Sequence, residues 1–449
     1  MDKNEALRQR DLAVLWHPTT QMKDHEWLPL LPVSSGSGVW LKDMEGGRYI
    51  DAISSWWVNL FGHANPHISE AVAEQAHCLE HVILAGVTHE PAVRLAEKLV
   101  EITPPGLDRV FYADSGASAV EIALKMSFHY WRNTGEEGRT RFVTLANSYH
   151  GDTLGALSVG DAGLFKAAYE PLLMEPLVAP SPDCFALPRN QWDQHAASML
   201  AGMRDIFVRH EGEICAVIIE PLVQCAGGMR MYPPSYLTRL RSLCDEYNIH
   251  LIADEIAVGF GRTGSMFACE QGGVSADFMC LSKGLTGGYL PMSAVLTSEQ
   301  VYAAFYAEYT TLRGFLHSHS YTGNALACAA ALATLELFEE RDVLADNRRL
   351  ARLMREAVAE LQDDEHIGDI RQTGMILALE MVAQREPMIQ YDWKERRGMK
   401  VYQHALQQGV LLRPIGNTVY FMPPYVIQPE EIELMASAAI GGIRLATSD

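Results

Sequence analysis

Two residues of the chain have the type and position that chemistry between an amine and a carbonyl requires. Lys283 lies in DFMCLSKGLTGG, directly after an apolar run. A lysine at such a strand end is partly removed from water, which lowers its pKa and frees the amine to form a Schiff base. Asp254 ends the preceding apolar run, IHLIAD, where α/β proteins bind their ligands. Taken alone, Lys283 is equally compatible with a solvated loop lysine, and Asp254 with a helix cap.

The two residues together predict a cofactor. Pyridoxal 5'-phosphate needs a lysine for its aldehyde and a carboxylate for its pyridinium nitrogen. The carboxylate keeps the ring nitrogen protonated, so that the ring accepts the electrons of a substrate carbanion. Lys283 and Asp254 end consecutive apolar runs and supply both groups.

Two further segments fit the same cofactor. Ser115, Gly116 and Ala117 stand between a strand pattern and a helical pattern, where free backbone N–H groups at a helix N-terminus bind phosphate. Tyr149, followed by His150, comes after the strand pattern RFVTLA, and an aromatic residue there can lie flat on a pyridine ring. Taken alone, the first segment is a plain N-cap and the tyrosine is packing.

One glycine motif is misleading. Gly259, Gly261 and Gly264 satisfy the pattern GxGxxG after a strand, which is typical of dinucleotide binding. The next residues, SMFACEQGGVSAD, are too polar and too rich in glycine for the helix that would hold a pyrophosphate. We therefore interpret this run as a glycine-rich active-site loop.

Two groups of histidines have side chains that could ligate a metal. His77 and His81 lie four residues apart with Cys78 between them, and His317 and His319 flank a serine. Neither group has a third or fourth ligand in its sequence neighbourhood, whereas zinc sites use at least three protein ligands. We predict no catalytic metal.

The elements that position these residues are predicted from apolar runs alternating with helical patterns. Most of the runs are nearly continuous in apolar residues, as are strands covered on both faces. Helical patterns over 117–132 and 235–247 separate some of them, which predicts an α/β fold with a mainly parallel sheet. The predicted strands are 109–113, 141–146, 174–179, 214–220, 249–254, 277–282 and 293–297.

A smaller α+β domain is predicted beside this large domain. After Ala325 the chain has two long helical patterns and then the strand candidates ILALEMV and TVYFMPP. Near the N-terminus, GVWLKDMEGGRYIDA predicts a hairpin that turns at residues 45–47. We expect residues 1–60 and 331–449 to form the small domain and residues 61–330 the large one.

Composition excludes several classes of protein. The 449 residues carry a formal net charge of −20 at pH 7, which disfavours binding to nucleic acid and to anionic membranes. The N-terminal residues are charged and lack the apolar centre of a signal peptide, and uncharged stretches fall short of the roughly 20 residues of a spanning helix. The eight cysteines form no CxxC pair, which indicates buried thiols in a reducing compartment. We expect a cytoplasmic protein without a membrane partner.

Several long segments resemble one family. SGASAVEIALK, SYHGDTLGALS, IIEPLVQCAGGM, ADEIAVGFGRTG, LSKGLTGGYLP and HSYTGNALACAAA are similar to segments of the class III pyridoxal-phosphate aminotransferases of fold type I. The resemblance extends over about residues 12–445. It implies a large domain with a mostly parallel seven-stranded sheet, pyridoxal 5'-phosphate as cofactor and small-molecule substrates. Within the class, WHPTTQM, SSWWVNLFGH and LLRPIGNTVYFMPPY resemble the 7,8-diaminopelargonic acid aminotransferases of biotin synthesis.

The resemblance assigns cofactor roles. It makes Lys283 the Schiff-base lysine and the acid/base of the proton shift, and it pairs Asp254 with the pyridinium nitrogen. It places Tyr149 on the ring, among the catalytic residues. The implied binding residues are Ser115, Gly116 and Ala117 for the phosphate, Gln224 for the phenolic oxygen of the ring, and Ser320 for the phosphate of the neighbouring subunit.

The resemblance also assigns substrate contacts and an assembly. Trp56 and Trp57 match the tryptophans that wall the substrate pocket, and Arg413 matches the arginine that holds a substrate carboxylate. Asp152 and Arg262 match further polar positions around the site. Because the residue at the Ser320 position reaches a second subunit in the family, the resemblance implies a homodimer with composite active sites.

The implied reaction is transamination of 8-amino-7-oxononanoate to 7,8-diaminononanoate. S-Adenosyl-L-methionine is the expected amino donor. Thr19 stands where family members that use this donor usually carry tyrosine, so L-lysine remains an alternative donor. Another ω-amino-acid transaminase of the same class is the alternative activity.

Overall fold

A computed structural model describes residues 2–448. Within them the α-helices are α1 Lys3–Val14, α2 Ser54–Trp57, α3 Pro66–Cys78, α4 Glu90–Ile102, α5 Gly116–Asn133, α6 Leu154–Ser158, α7 Gly163–Lys166, α8 Trp192–Arg209, α9 Pro234–Glu246, α10 Glu299–Ala303, α11 Ala325–Glu340, α12 Val343–Ala357, α13 Arg397–Gln407 and α14 Pro429–Thr447. Short 3₁₀ helices cover Met22–Glu26, Glu170–Leu172, Arg189–Gln191, Ala268–Gly272, Lys283–Thr286, Tyr309–Thr311, Ala359–Leu361 and Trp393–Glu395.

The strands of the same residues complete the element list. They are β1 Val33–Ser37, β2 Trp40–Asp43, β3 Arg48–Asp51, β4 Arg109–Ala113, β5 Arg141–Leu145, β6 Leu177–Ala179, β7 Ile214–Ile219, β8 Val223–Gln224, β9 Arg230–Met231, β10 His250–Asp254, β11 Phe278–Leu281, β12 Ser293–Thr297, β13 Ile367–Thr373, β14 Ile376–Gln384, β15 Ile389–Gln390, β16 Val410–Leu411 and β17 Thr418–Phe421.

The chain divides into two compact units. The large unit consists of His67–Arg349 and Arg371–Ile376. The small unit consists of the chain up to Pro66, Leu350–Ile370 and the chain from Leu377 onward. Both ends of the sequence therefore contribute to the small unit.

A seven-stranded sheet forms the centre of the large unit, in the order β4-β12-β11-β10-β7-β5-β6. Strands β6, β5, β7, β10 and β11 are parallel, whereas β12 is antiparallel to both of its neighbours, β11 and β4. The prediction of a mainly parallel sheet of these seven strands is confirmed. Strand β6 is shorter than the predicted strand 174–179 because it begins after Pro176, and proline has no N–H to donate to a neighbouring strand.

Burial of apolar side chains holds the sheet and its helices together. Every residue of β7, β10, β11 and β12 is buried, as expected for strands covered on both faces. Helix α5 packs against this sheet, and its buried residues Ala119, Ala123 and Met126 have the spacing of one helix face. Only two residues separate the end of β4 from the start of α5, so the packed strand fixes where the helix begins.

The small unit contains two sheets. One has the order β1-β2-β3-β16, and the predicted hairpin forms its antiparallel β2–β3 pair. The other joins β13, β14 and β15, with β17 pairing antiparallel to β14. In the part of the chain from residue 2 to 448, no helix combines the length and the apolar composition that crossing a bilayer needs.

Candidate active site

The carboxyl ends of the parallel strands of the large unit meet at one edge of the sheet. Strand β4 runs in the same direction, because β12 is antiparallel to both β4 and β11. Ligands bind at this edge in open α/β sheets. The polar residues that end or follow these strands are Ser115 after β4, Tyr149 and His150 after β5, Glu220 after β7, Asp254 at the end of β10, and Lys283 after β11.

Asp254 is a buried carboxylate held in a fixed orientation. Its Oδ2 atom lies 2.7 Å from Nδ1 of His150, and its Oδ1 atom accepts a hydrogen bond of 3.2 Å from the backbone N–H of Ile256. His150 is itself buried, and its Nε2 atom has no hydrogen-bond partner among the residues described. An oriented carboxylate of this kind can hold a proton on a ligand nitrogen.

Lys283 follows the strand next to the one that Asp254 ends: β10 and β11 are parallel neighbours, and Asp254 is level with Cys280, three residues before Lys283. Burial lowers the pKa of the Lys283 amine, and the negative charge of Asp254 acts in the opposite direction. The backbone of Lys283 has a φ of 45°, a left-handed conformation that costs energy in an L-residue and is found at functional sites. The site thus presents the amine of a partly buried lysine near a buried carboxylate.

Glu220 is a residue of this edge to which the sequence analysis assigned no role. Its two carboxylate oxygens accept backbone hydrogen bonds from Tyr149 at 3.0 Å and from Cys225 at 2.9 Å. Burial raises the pKa of Glu220 to about 7. The available signal was a single acidic residue at the carboxyl end of the apolar run ICAVII. Glu220 fixes the loop that carries Tyr149.

Tyr149 is half-buried beside this carboxylate. Burial raises the pKa of its phenol, and the charge and hydrogen bond of Asp152 raise it further. The phenol therefore stays protonated at neutral pH. Asp152 itself is exposed.

The start of α5 is suited to an anion. Ser115 caps the helix, accepting a hydrogen bond of 3.3 Å at its Oγ atom from the backbone N–H of Ser118. The N–H groups of Gly116 and Ala117 belong to the first turn of this 18-residue helix, where the helix dipole favours negative charge.

The other predicted residues of the large unit occupy varied environments. Gln224 is buried; its amide donates to the carbonyl of Ala146 at 2.9 Å and accepts from the Ser181 hydroxyl at 2.7 Å. Arg262 is buried, and its backbone carbonyl accepts a hydrogen bond of 2.8 Å from the N–H of Met375. Ser320 is exposed, and its carbonyl lies 2.8 Å from Nε2 of His81.

The histidine groups make contacts with protein atoms. Besides the contact of His81, Nε2 of His317 lies 3.0 Å from Nε2 of His319, whose Nδ1 lies 3.1 Å from Asp114. No set of three or more His, Cys, Asp or Glu residues between residues 2 and 448 is arranged to hold a metal ion. The GxGxxG run is followed by turns and the 3₁₀ helix Ala268–Gly272, whereas a dinucleotide site requires an α-helix there.

Arg413 and the paired tryptophans belong to the small unit. The Arg413 guanidinium carbon lies 5.3 Å from the centre of the Trp56 ring, and its Nη2 donates to the carbonyl of Thr19 at 3.2 Å. Trp56 is 39% exposed, whereas Trp57 is 4% exposed and donates from Nε1 to the Tyr420 hydroxyl at 3.0 Å. A cation beside a partly exposed indole can bind a carboxylate attached to an aliphatic chain.

The backbone that carries the tryptophans is strained. The four residues of α2, Ser54, Ser55, Trp56 and Trp57, have φ values of 51°, 46°, 71° and 74°, so this single turn is left-handed and is not a regular α-helix. The left-handed conformation costs roughly 1–2 kcal/mol for each L-residue, and none of the four is glycine. The surrounding structure must supply the energy that keeps this turn left-handed.

Comparison with known proteins decides the family. The family model described as aminotransferase class-III matches residues 21–440. The chain is a class III aminotransferase. Aminotransferases of this class depend on pyridoxal 5'-phosphate, so the predictions of fold type, enzyme class and cofactor are confirmed.

Relatives of this aminotransferase match nearly its whole length. An adenosylmethionine-8-amino-7-oxononanoate aminotransferase from Helicobacter pylori is 46% identical, covering 96% of each chain, and one from Geobacter sulfurreducens is 44% identical, covering 99% and 98%. The crystal structure of such an enzyme from Methanocaldococcus jannaschii has a TM-score of 0.93, at 39% identity over 99% of both chains. An ω-transaminase from Pseudomonas jessenii has the same TM-score at 27% identity over 98% of both.

The residues at the sheet edge fit pyridoxal 5'-phosphate. The amine of Lys283, whose pKa is lowered, suits the aldehyde, and the carboxylate of Asp254, oriented by His150, suits the ring nitrogen. The start of α5 suits the phosphate.

Proposed function

We propose that this aminotransferase converts 8-amino-7-oxononanoate to 7,8-diaminononanoate in biotin biosynthesis, with S-adenosyl-L-methionine as amino donor. The observation that carries the proposal is 46% identity to a relative named for this substrate pair over 96% of both chains. The ω-transaminase at 27% identity supports the alternative of another ω-amino-acid substrate less strongly.

The residues at the sheet edge account for the transfer step. When bound, pyridoxal 5'-phosphate supplies an aldehyde carbon that takes up the amino group and a ring that accepts electrons. Lys283 would accept a proton from the substrate carbon at its Nζ atom and later release it, and its lowered pKa increases the fraction of neutral amine that can accept that proton. Asp254 keeps the ring nitrogen protonated, and His150 holds Asp254 in place.

Other residues of the chain bind and orient. The N–H groups of Gly116 and Ala117 bind the phosphate, and Tyr149 covers the ring. Arg413 binds the carboxylate of 8-amino-7-oxononanoate through its planar fork, which presents two parallel donors. Trp56, beside Arg413, contacts the aliphatic part of the same substrate.

The donor assignment depends on the surroundings of Thr19. This exposed residue has a small side chain, and its backbone carbonyl accepts a hydrogen bond from Arg413. A small side chain here removes the flat contact surface that a tyrosine would offer to an adenine-containing donor, and such contacts are worth on the order of 1 kcal/mol. L-lysine is therefore the competing donor.

A half-reaction assay tests both parts of the proposal. The cofactor-loaded protein is mixed with S-adenosyl-L-methionine or with L-lysine while its absorbance between roughly 320 and 430 nm is followed. We expect S-adenosyl-L-methionine to change the spectrum and 8-amino-7-oxononanoate to reverse the change. A change with L-lysine alone would contradict the donor, and failure of reversal would contradict the acceptor.

A variant isolates the contribution of Thr19. Thr19→Tyr restores the missing aromatic surface, so we expect it to increase the rate with S-adenosyl-L-methionine. The neighbouring Thr20→Tyr variant serves as the matched control. Equal effects of the two substitutions would argue against a donor pocket at Thr19.

The proposal includes the assembly and the location of the enzyme. A homodimer is supported by an exposed apolar segment that leads to Ser320 and includes Tyr306, Tyr309, Leu312 and Leu316, since monomers rarely expose large contiguous apolar surface. In this proposal Ser320 binds the cofactor phosphate of the partner subunit.

A cytoplasmic location agrees with the free cysteines, of which all but Cys78 are buried.

A further inference from the structure

The left-handed turn Ser54–Trp57 is held by residues that the sequence analysis did not single out. Asp51 ends β3 and is fully buried. Its Oδ2 atom accepts a hydrogen bond of 2.7 Å from the Ser55 hydroxyl and lies 2.9 Å from Nε2 of His63. Its Oδ1 atom accepts a bond of 3.3 Å from the backbone N–H of Ile53. One carboxylate thus ties together the turn and the residues on both sides of it.

Asp51 is itself firmly placed. Its backbone N–H donates to the carbonyl of Val39 at 2.8 Å, and it is paired with Leu411 of the parallel strand β16. A second tie joins the turn to the segment after β17, because the Ser54 hydroxyl donates to the carbonyl of Met422 at 2.7 Å. The turn is therefore fixed to two sheets of the small unit.

The conformation of the turn decides where the indoles point. Side-chain direction follows from φ and ψ, so relaxation of the turn to right-handed values would move both tryptophans. Trp56 would then leave its position 5.3 Å from the guanidinium carbon of Arg413. A strained segment that carries exposed groups beside a binding residue is typical of a preorganised site.

We propose that Asp51 is a positioning residue for substrate binding. Through Ser55 and His63 it holds the left-handed turn, and the turn keeps Trp56 beside Arg413, where a substrate carboxylate and its aliphatic chain bind. This inference rests on the proposed function for the roles of Trp56 and Arg413. It adds that a carboxylate without substrate contact controls the affinity for 8-amino-7-oxononanoate.

The test compares two double variants that differ by one methyl group. Asp51→Ala removes the contacts of the carboxylate with Ile53, Ser55 and His63. Each double variant combines this substitution with either Ser55→Gly or Ser55→Ala. Both double variants lack the hydroxyl and the carboxylate, but only glycine adopts a positive φ without steric cost. We expect Asp51→Ala to raise the KM for 8-amino-7-oxononanoate about tenfold while kcat changes less than about threefold. Adding Ser55→Gly should lower the KM most of the way back to the wild-type value, whereas adding Ser55→Ala should leave it raised.

Near-ultraviolet circular dichroism provides a readout that needs no substrate. The tryptophan bands should change in Asp51→Ala and in Asp51→Ala/Ser55→Ala, and should return toward those of the wild type in Asp51→Ala/Ser55→Gly. Equal KM values and equal tryptophan bands for the two double variants would overturn the proposal. A uniform loss of thermal stability with an unchanged KM would assign Asp51 a merely structural role and would overturn it too.

Two provisions keep the result decisive. If Asp51→Ala fails to fold, Asp51→Leu replaces it in all combinations, since leucine has a similar size but accepts no hydrogen bond, and the same order of KM values is expected. If the wild type does not turn over 8-amino-7-oxononanoate, the proposed function fails. The circular dichroism of the double variants then decides by itself whether Asp51 holds the turn.

Discussion

At the scale of single residues, the site depends on one carboxylate whose surroundings restrict it to one orientation. The bond between Asp254 and His150, at 2.7 Å, is buried, so water does not compete for the carboxylate. Charged hydrogen bonds in such surroundings are stronger than those in water. Asp254 is therefore suited to retain a proton on a ligand nitrogen during each catalytic cycle.

Asp254→Asn is expected to keep the cofactor and to slow catalysis. The amide still accepts the backbone N–H of Ile256, but it no longer stabilises a protonated ring nitrogen. We expect kcat to fall by about a hundredfold or more while cofactor absorbance is retained, because electrostatic stabilisation is usually the largest part of catalysis. Asp108→Asn, an exposed carboxylate just before β4 at the opposite edge of the sheet, is the control. A kcat within about threefold of the wild type would contradict the role of Asp254.

At the scale of elements, strand β10 connects the site to the core, because Asp254 lies at its carboxyl end and the buried His250 at its amino end. His250 begins the strand that Asp254 ends; its ring stacks on Trp131 at a centroid distance of 4.5 Å, and its Nδ1 atom lies 2.9 Å from the Ser127 hydroxyl. Burial lowers the pKa of His250 to about 4. The strand is thus packed in the state in which this imidazole is neutral.

This pKa predicts the sign of an acid effect on stability. The folded state disfavours the charged imidazole. The contribution of His250 to the free energy of unfolding is therefore fully present above pH 6.5 and is lost as the pH falls toward 4. The lowered pKa corresponds to about 3 kcal/mol over that interval. We expect His250→Gln to make the midpoint of urea unfolding less dependent on pH between 6.5 and 4, with exposed His77→Gln as control. Parallel pH profiles for wild type and His250→Gln would rule the effect out.

The effect of His250 must be measured as a difference between variants, because other buried groups change protonation in an overlapping pH range. Burial raises the pKa of Glu255 to about 7, as it does for Glu220. The folded state favours the protonated form of these carboxyl groups, so their contribution is lost as the pH rises from about 4.5 through 7. The wild-type pH profile therefore combines opposite trends, and only the difference between variants isolates His250.

At the scale of the whole molecule, the proposed homodimer makes a prediction about mixed subunits. If Ser320 acts on the phosphate of the partner subunit, a heterodimer of Lys283→Ala and Ser320→Asp chains has one site with both defects and one with neither. We expect each homodimer to be inactive and the heterodimer, purified through two different tags, to show about half of the wild-type activity. An inactive heterodimer would place Ser320 in the site of its own chain.

Sequence patterns alone determined the sheet and the central chemistry. Continuous apolar runs identify strands buried on both faces, since that pattern is local, and all seven runs form strands of one sheet. The same runs predicted that Lys283 and Asp254 lie at strand ends, and the structure has them there. The family was also evident from the sequence, because its motifs are long contiguous segments.

Other features were decided only by the tertiary structure. The antiparallel direction of β12 depends on pairing between distant strands, which no local pattern specifies. Glu220 and His150 acquire their partners because the ends of separate strands converge at one edge. The sequence SSWW shows no sign of a left-handed turn, because L-residues disfavour that conformation. The turn is held by the contacts of Asp51 with Ser55 and His63 and by the hydrogen bond of the Ser54 hydroxyl to Met422, which is distant in sequence.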